Sequence, residues 1–345
     1  MEKDNMNNDF QAQIYKNIVP NQWRSISEIM LTIILLLLGI VTLYIAMKNT
    51  MWIFFLLLIP LGLLYSRLFI LLHDLGHGNL FKKKKYNDTV GVLLGIILLT
   101  PYHLWRKAHN IHHASGGNID RRPWVGDIKL LSVREYKEKS CWEKLLYRLY
   151  RNPSVMFFLG SIYVFMIDHR FCPKHKGFGR KEVRSVMVTN ISVVFLYGSI
   201  ILWMGMPFFL LTILLPQWIG GAFGILLFYI QHNFKNRYFI SQKDWNLRDS
   251  ALKGSTFYDF PKPLSWLIAN INYHHVHTLL PRIPFYRLPQ CHKEYAFFHI
   301  APKFGLKDLP MMLSLKLYDK KNEQMITWKE YKELIHNGEN QGTRS

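Results

Sequence analysis

Long stretches without a charged residue constrain this chain more than any other feature of its sequence. No Asp, Glu, Lys or Arg occurs over 29–47, and over 49–72 the only such residue is Arg67. A further 50 residues, 185–234, carry no formal charge and are interrupted near the middle by Gly-Met-Pro at 205–207. A membrane-spanning helix needs about 20 predominantly apolar residues. The first two runs are therefore each long enough for one span, and the third is long enough for two.

The apolar runs predict an integral membrane protein of the all-α class. A soluble core helix of the same apolarity is the alternative, and four such lengths in one chain argue against it. The first run follows a polar segment with acidic residues and no cleavage site, so we expect a retained span rather than a signal peptide. We predict spans at about 29–47, 51–72, 186–205 and 207–231, inside a membrane domain at 29–300 that lies between a cytoplasmic N-terminal segment, 1–28, and a cytoplasmic C-terminal tail, 301–345.

The basic residues indicate which side of the membrane the polar segments occupy. The chain has 43 Lys and Arg against 23 Asp and Glu, a net charge of +20. Of the 43, 21 lie between the second and third spans and 17 after the fourth, whereas the short turns carry only Lys48. Because positively charged loops stay in the cytoplasm, we expect a multi-pass protein of the cell membrane with cytoplasmic termini and polar segments. This topology accounts for the charge, and we predict no nucleic-acid partner.

Two shorter apolar stretches, 89–105 and 153–167, are marginal as spans. If 89–105 crossed the membrane, the histidines at 73–77 and 109–113 would lie on opposite faces. We therefore predict re-entrant or interfacial helices at both stretches. The polar sequence between them, 114–150, is expected to fold as a cytoplasmic cap.

Histidines are concentrated in three short clusters. Eight of the fifteen occur in HDLGH at 73–77, HNIHH at 109–113 and HHVHT at 274–278. Residues three or four apart share one face of a helix, so each cluster presents imidazoles together. His275 projects about 100° away from its neighbours and is a poorer ligand candidate. The rings that share a face are those of His73 and His77, of His109, His112 and His113, and of His274 and His277.

Clustered imidazoles on one membrane face predict a transition-metal site. Seven well-placed rings exceed the four ligands of one tetrahedral ion, so two metals are expected, and the ligand type leaves iron and zinc both open. His232, just after the fourth span, is either a further ligand or a helix cap. Asp74 either accepts a hydrogen bond from a ligand imidazole, caps a helix or pairs with a lysine. Arg67 either snorkels or holds the site or a lipid head.

Longer motifs surround these clusters. The sequences HDLGHGNLF, LTPYHLWRKAHNIHHASGGNIDRR, FYIQHNF and GSTFYDFPKPLSWLIANINYHHVHTLLPRIPFYRLP resemble the membrane fatty acid desaturases, in particular the bacterial acyl-lipid desaturases, over roughly residues 60–300. The resemblance implies a helical membrane bundle with a cytoplasmic cap and a histidine-bound, non-haem di-iron centre that activates O2, in which zinc can substitute. The iron ligands that it implies are His73, His77, His109, His112, His113, His274, His277 and His232.

The resemblance also implies an oxidoreductase that introduces a cis double bond into the acyl chain of a membrane lipid. The chain has no haem-binding or flavin-binding motif, so electrons are expected from a separate ferredoxin or flavodoxin-like donor that docks on the basic cap. A membrane hydroxylase with the same histidine boxes is an alternative.

One position departs from the family pattern. The third histidine box of the family ends in two adjacent histidines, and here Thr278 occupies the last position. A neutral hydroxyl is a poorer ligand than an imidazole, so one metal would lose a direct bond or gain a water. We expect Thr278, like Asp74 and His275, to lie beside the ligands. A catalytically impaired paralogue that binds or senses lipid is therefore a further alternative.

Overall fold

The computed structural model describes residues 14–15, 19–49, 51–121, 128–173 and 177–342, which are mostly helical. Two small two-stranded sheets accompany the helices, one parallel (β1 with β2) and one antiparallel (β3 with β4). In chain order the elements are α1 (Gln22–Asn49), α2 (Met51–His77), α3 (Lys84–Ile97), α4 (Tyr102–Ser115), α5 (Val133–Lys137), α6 (Cys141–Tyr150), α7 (153–170), α8 (Arg180–Met204), α9 (Met206–His232), α10 (Leu247–Lys253), β1 (Phe257–Tyr258), α11 (Lys262–Leu267), α12 (His274–Leu279), α13 (Leu288–Glu294), β2 (Lys303–Phe304), α14 (Leu309–Ser314), β3 (Leu315–Asp319), β4 (Gln324–Thr327) and α15 (Trp328–Gly342), with short 3₁₀ helices at Phe285–Arg287, Ala296–Ile300 and Leu306–Asp308.

Four helices, α1, α2, α8 and α9, are long and apolar enough to cross a membrane. This finding confirms the predicted class, a helical protein with four candidate spans. The helices extend beyond the apolar runs into polar sequence. At 25 residues, α8 is about 37 Å long, which exceeds the roughly 30 Å hydrocarbon core. Its polar first turn is stabilised by Glu182, whose carboxylate accepts a hydrogen bond from the Gly179 N–H at 2.8 Å.

Arg67, the charged residue within α2, is fully buried and does not snorkel to the surface. Its guanidinium lies 2.6 Å from the Glu28 carboxylate and donates to the hydroxyl of Thr32 at 2.9 Å, both on α1. It also donates to the Trp266 carbonyl and lies over the Trp266 ring, 4.1 Å from the centroid. Arg67 therefore connects α1, α2 and α11. Its ion pair with Glu28 compensates the buried positive charge.

The two helices α2 and α9 pack closely because glycines line their contact. A Cβ atom at Gly220 would lie 2.6 Å from the Tyr65 Cβ and 2.7 Å from the Gly62 carbonyl oxygen. The Ser66 hydroxyl donates to the Gly220 carbonyl across the same contact at 2.8 Å. Small residues let helix backbones approach in this way. The contact fixes the positions of the α2 and α9 ends, which carry His77 and His232.

The predicted interfacial stretch 89–105 proves to be parts of two helices. α3 and α4 meet at 104°, because Pro101 disfavours helical geometry at the residue before it and Leu99 adopts a φ of 55°. The bend exposes backbone carbonyls that other elements satisfy. Tyr197 and Gln217 donate to the Ile97 carbonyl at 2.6 and 2.9 Å, and the Arg170 guanidinium donates to the Leu99 carbonyl.

Two other local features shape the helices around this bend. α7, over 153–170, contains two stretches of π-helix, Val155–Leu159 and Tyr163–Ile167, and exposes Leu159 and Tyr163. A single residue, Gly205, joins α8 to α9 with a φ of +84°, a conformation that favours glycine. The following Pro207 lies in the first turn of α9, where a missing N–H costs no hydrogen bond.

The residues after 300, for which we predict a cytoplasmic C-terminal tail, include two strands that pack beside the segment around Ser132. All five residues of β3 are buried, and β3 pairs with β4 and bridges to Ser132, which begins α5. The Arg151 guanidinium, 2 % exposed, donates to the Leu315 carbonyl, the Tyr229 hydroxyl and the Asn233 side-chain oxygen. The C-terminal strands are thus bonded to the end of α9.

Candidate metal centre

Four helices bring the predicted histidines together where α2 and α9 end. The last turn of α2 carries His73 and His77, and the last residue of α9 is His232. The histidines of the second cluster lie on the second half of α4, after the bend that redirects the chain. Those of the third cluster begin α12, a buried helix of six residues. Each cluster lies on a helix, so the histidines spaced three or four residues apart lie on the same helix face, as predicted.

Five of these histidines form one group, which we call the five-histidine group. Each offers one ring nitrogen, and the five nitrogens all lie within 4.8 Å of one another. The Nε2 atom of His109 lies 3.0 Å from Nε2 of both His77 and His113, and His277 Nε2 lies 3.3 Å from that of His113. The members are His73, His77, His109, His113 and His277.

The three remaining predicted ligands form a second group, the three-histidine group, beside the first. His232 Nε2 lies 3.3 Å from His112 Nε2 and 3.0 Å from His274 Nε2. The groups adjoin, because the ring centroids of His112 and His113 are 5.8 Å apart and those of His274 and His277 are 5.7 Å apart. All eight predicted ligand residues therefore meet, and the structure distributes them as five and three.

The nitrogen positions fit bound metal ions. Around an ion with metal–nitrogen distances of about 2.1 Å, neighbouring ligand nitrogens are roughly 3.0 to 3.4 Å apart. The Nε2 separations of 3.0 and 3.3 Å match this spacing in both groups. Hydrogen bonding alone explains them less well, because His109 Nε2 carries either one hydrogen or one lone pair and has two imidazole neighbours at 3.0 Å.

The protonation state of the α12 histidines also suits metal binding. Burial, with the neighbouring imidazoles as a further cause, lowers the pKa of both His274 and His277 well below the usual value for histidine. Their rings are therefore neutral at pH 7 and each keeps a lone pair. The neutral imidazole is the form that ligates metals.

Two ligand candidates are oriented by hydrogen bonds to their other ring nitrogen. The Asp74 carboxylate lies 3.2 Å from His73 Nδ1 and also accepts the Phe285 N–H at 2.7 Å, so Asp74 occupies the predicted position beside a ligand. His232 Nδ1 lies 3.2 Å from the Gly254 carbonyl oxygen. Such partners fix which nitrogen faces the metal. Sequence reasoning missed Gly254, because a backbone carbonyl leaves no signal in the residue type.

An aromatic residue that sequence reasoning also missed packs on the five-histidine group. The Trp105 ring stacks on that of His109, with centroids 4.8 Å apart and planes 12° apart, and Phe69 packs edge-to-face with Trp105. The spacing of four residues between Trp105 and His109 on one helix was the available signal. Gly76 permits this packing, since a Cβ there would lie 2.9 Å from the Trp105 ring.

The remaining predicted neighbours of the ligands, His275 and Thr278, hydrogen-bond to groups other than the candidate ligand imidazoles. His275 is fully buried and its Nε2 lies 3.0 Å from Nδ1 of His292, away from both histidine groups. The Thr278 hydroxyl donates to the His274 carbonyl at 2.8 Å and lies 3.0 Å from the Ser255 hydroxyl. Ser255 is a further residue of the site that the sequence did not single out.

Comparison with known proteins agrees with this geometry. The family model described as fatty acid desaturase matches residues 17–307. A fatty acid desaturase of Bacillus subtilis is 42% identical over 269 residues, covering 78% of this chain and 76% of its own length. An sn-1 oleoyl-lipid 12-desaturase of Synechocystis sp. is 30% identical over 234 residues, covering 65% of this chain and 63% of its own length.

A second Synechocystis sp. relative is an sn-1 acyl-lipid omega-3 desaturase (ferredoxin), 29% identical over 239 residues, which cover 66% of this chain and 63% of the relative. The family model extends from before α1 to beyond β2, and so includes all four long helices and every histidine of the two groups. The match, the helical membrane architecture and the clustered histidines agree, and the chain belongs to the fatty acid desaturase family.

Proposed function

We propose that this protein is an O2-dependent acyl-lipid desaturase with a histidine-bound di-iron centre. The observation that carries the proposal is the meeting of eight imidazoles, in two adjoining groups, at the ends of helices long enough to span a membrane. The names of the relatives, a fatty acid desaturase and an oleoyl-lipid desaturase, support the reaction and the lipid substrate.

The proposed reaction removes two hydrogen atoms from neighbouring methylenes and forms a cis double bond. In balance, –CH2–CH2– + O2 + 2 electrons + 2 protons gives –CH=CH– + 2 H2O. Bound iron would supply the activation of O2 that an unreactive C–H bond requires. Iron fits the all-nitrogen ligand set, and zinc could occupy the same imidazoles without redox chemistry.

The chain's own residues would hold the metals and position the acyl chain. The five- and three-histidine groups are the proposed ligands, and Asp74 and the Gly254 carbonyl orient His73 and His232. The ring of Phe69, on α2, contacts that of Trp105, which in turn stacks on His109. A methylene has no polar group that the protein could recognise. Which methylene reacts would therefore depend on how deeply the acyl chain enters such apolar surroundings.

The proposal places the enzyme in the cell membrane with its metal centre and termini in the cytoplasm. The distribution of Lys and Arg supports this orientation. Electrons would come from a separate acidic donor of the ferredoxin or flavodoxin type on the basic cap, and the name of one relative includes ferredoxin. Arg134 on α5 and Lys139, between α5 and α6, are exposed on that cap, where they pair with Glu138 and Glu143.

Expression in a host that lacks desaturation tests the proposal. We expect a new cis-monounsaturated acid in the membrane lipids and about two irons per purified chain. His109→Ala should lower the product at least about 10-fold, because even the loss of a residue that orients a ligand costs 10- to 100-fold. The matched control is His336→Ala, which changes an exposed histidine of α15 and should leave the product unchanged.

Other outcomes would point to the alternatives. A hydroxylated acyl chain without a new alkene would identify a hydroxylase. An inserted, metal-loaded protein that yields no modified lipid, and that gains activity only as Thr278→His, would identify an impaired lipid-binding or lipid-sensing paralogue. A protein without iron in either histidine group would contradict the proposed centre.

A further inference from the structure

Three helices meet near the histidine groups, and their meeting point carries positive charge. The Asp88 carboxylate of α3 lies 2.5 Å from the Arg106 guanidinium of α4. The Ser185 hydroxyl of α8 accepts a hydrogen bond from the His103 N–H of α4 at 3.1 Å. These contacts bring the beginnings of α3 and α8 together on α4, on which Arg106 lies three residues before the candidate ligand His109.

The contacts gather one cation from each of the three helices. Lys84, in the first turn of α3, lies 2.5 Å from the second oxygen of Asp88. Lys181, in the first turn of α8, is exposed. Arg106 and Lys84 both repel the charge of Lys181, so the three cations lie close together. Asp88 can balance only one of the three charges, which leaves an excess of positive charge at this point.

Lys181 is the least compensated of these cations. Within the part of the chain that the structure describes, its ammonium forms no hydrogen bond and no ion pair. The carboxylate of the adjacent Glu182 instead accepts the Gly179 N–H at 2.8 Å and lies near a further cation, Lys107. An exposed ammonium without an acidic partner keeps its hydrogens for an external anion.

The cations lie where the polar start of α8 gives way to its membrane-spanning part. The charge-free stretch 185–234 begins four residues after Lys181. Val188 and Phe195 follow Lys181 at intervals of seven residues, or two helical turns, and so lie on its face of the helix. They are 40 % and 71 % exposed. This face of α8 therefore presents a cation followed by apolar side chains, in the order in which a phospholipid presents its phosphate and its acyl chains.

We propose that Lys84, Arg106 and Lys181 bind the phosphate of an anionic phospholipid at the membrane face that carries the histidine groups. A free anion would leave Val188 and Phe195 uncovered, whereas an acyl chain of the lipid covers them. An acidic protein is a poorer occupant, because the cations adjoin the charge-free stretch and so lie at the level of the lipid headgroups. The inference concerns lipid binding rather than the reaction, and it goes beyond the proposed function.

Native mass spectrometry of the full-length protein tests the inference. The protein in detergent is mixed with equal concentrations of phosphatidylglycerol and phosphatidylcholine that carry the same acyl chains. We expect one phosphatidylglycerol to bind at least about 5-fold more tightly than phosphatidylcholine, because the excess positive charge attracts the anionic headgroup and repels the choline.

Substitution of the two exposed lysines tests which residues hold the headgroup. Lys181→Gln should weaken phosphatidylglycerol binding about 5-fold, and the double variant Lys84→Gln, Lys181→Gln should weaken it roughly 20-fold. Lys48→Gln is the matched control, because it removes one exposed positive charge at the opposite end of the spans and should leave the affinity unchanged. If Lys48→Gln and Lys181→Gln had equal effects, the attraction would be unspecific and the proposal would be wrong.

Two competitors test for other occupants in the wild-type protein, whether or not a variant folds. At constant ionic strength, inorganic phosphate should leave phosphatidylglycerol bound, because it cannot cover the apolar face of α8. Displacement by inorganic phosphate would indicate a site for a soluble anion, and displacement by a ferredoxin would indicate a docking surface for the electron donor. Either result, or equal binding of the two lipids, would overturn the lipid site and leave the proposed metal centre and reaction intact.

Discussion

Lys316 of β3 is a buried lysine with an unusual charge state. It is 6 % exposed, and its ammonium donates to the Arg151 and Leu313 carbonyls at 2.8 and 2.5 Å. Burial, reinforced by the positive charge of Arg151, lowers the pKa of Lys316 to about 8. At neutral pH the folded protein therefore bears the cost of a buried positive charge.

We predict that this lysine makes the protein more stable as the pH rises from about 8 to about 10. In that window the unfolded chain binds a proton at Lys316 and the folded protein does not. The free energy of unfolding should then increase by up to about 1.4 kcal/mol per pH unit relative to Lys316→Gln. Unfolding of both proteins in detergent at pH 7.5, 8.5 and 9.5 measures the difference. If the free energy of unfolding changed with pH in the same way for both proteins, the prediction would be wrong.

At the scale of residues, spacing predicted the histidine groups because side chains three or four apart on a helix must share a face. Spacing could not divide the rings into five and three, since that division depends on how α4 and α12 cross. The Gly254 carbonyl and the Ser255 hydroxyl come from the chain before β1 and are brought to the site only by tertiary structure. Local patterns carry no information about such contacts.

The close contact between the helices α2 and α9 predicts that a larger side chain at Gly220 destabilises the protein. Gly220→Ala would place a Cβ 2.6 Å from that of Tyr65, so the helices must separate. We expect a loss of about 1–3 kcal/mol in the free energy of unfolding, as for overpacked cores. Because α2 and α9 end in histidines of different groups, the metal content per chain should also fall.

Gly224→Ala is the matched control on the same helix. A Cβ at Gly224 would meet no atom within 4 Å. The free energy of unfolding of Gly224→Ala should therefore be unchanged or slightly higher, because alanine favours helices. Thermal unfolding and elemental analysis of both variants give the comparison. Equal behaviour of the two variants would show that close packing at Gly220 does not position the ligands.

The sequence predicted the long helices well, since about 20 apolar residues leave the backbone no other stable state in a bilayer. It did not divide 89–105 into two helices, although Pro101 was visible, because the bend depends on Tyr197, Gln217 and Arg170 donating to its carbonyls. It also missed β3, whose five residues include Lys316 and Asp319 and resemble a polar loop.

The arrangement of the whole molecule in the membrane can be tested with its cysteines. Cys141 on α6 is exposed, whereas Cys291 is buried, and burial raises the pKa of its thiol to about 12. In a Cys172→Ser background, we predict that a membrane-impermeant maleimide labels Cys141 in inverted vesicles and not in intact cells. Cys291 should remain unlabelled in both.

A cysteine in the opposite turn provides the control. Met206→Cys, at the exposed start of α9, should be labelled in intact cells and protected in inverted vesicles. Detergent should make both sites reactive. Labelling of Cys141 in intact cells would reverse the proposed orientation. The basic residues predicted this orientation without any knowledge of packing, because it depends on charge at the span ends rather than on contacts.

The proposed ligands are all imidazoles, and this has an electrostatic consequence for a metal bound between them. Uncharged nitrogen donors do not neutralise the positive charge of a bound ion, and the Asp74 carboxylate lies beside one of the candidate ligands, His73. In the proposed centre, two ferrous ions would together carry four positive charges. Net charge is a principal determinant of the reduction potential of an iron site. Such a centre would resist oxidation to the ferric state at rest and would attract small anions, so halide or azide should bind more readily than to carboxylate-rich iron sites.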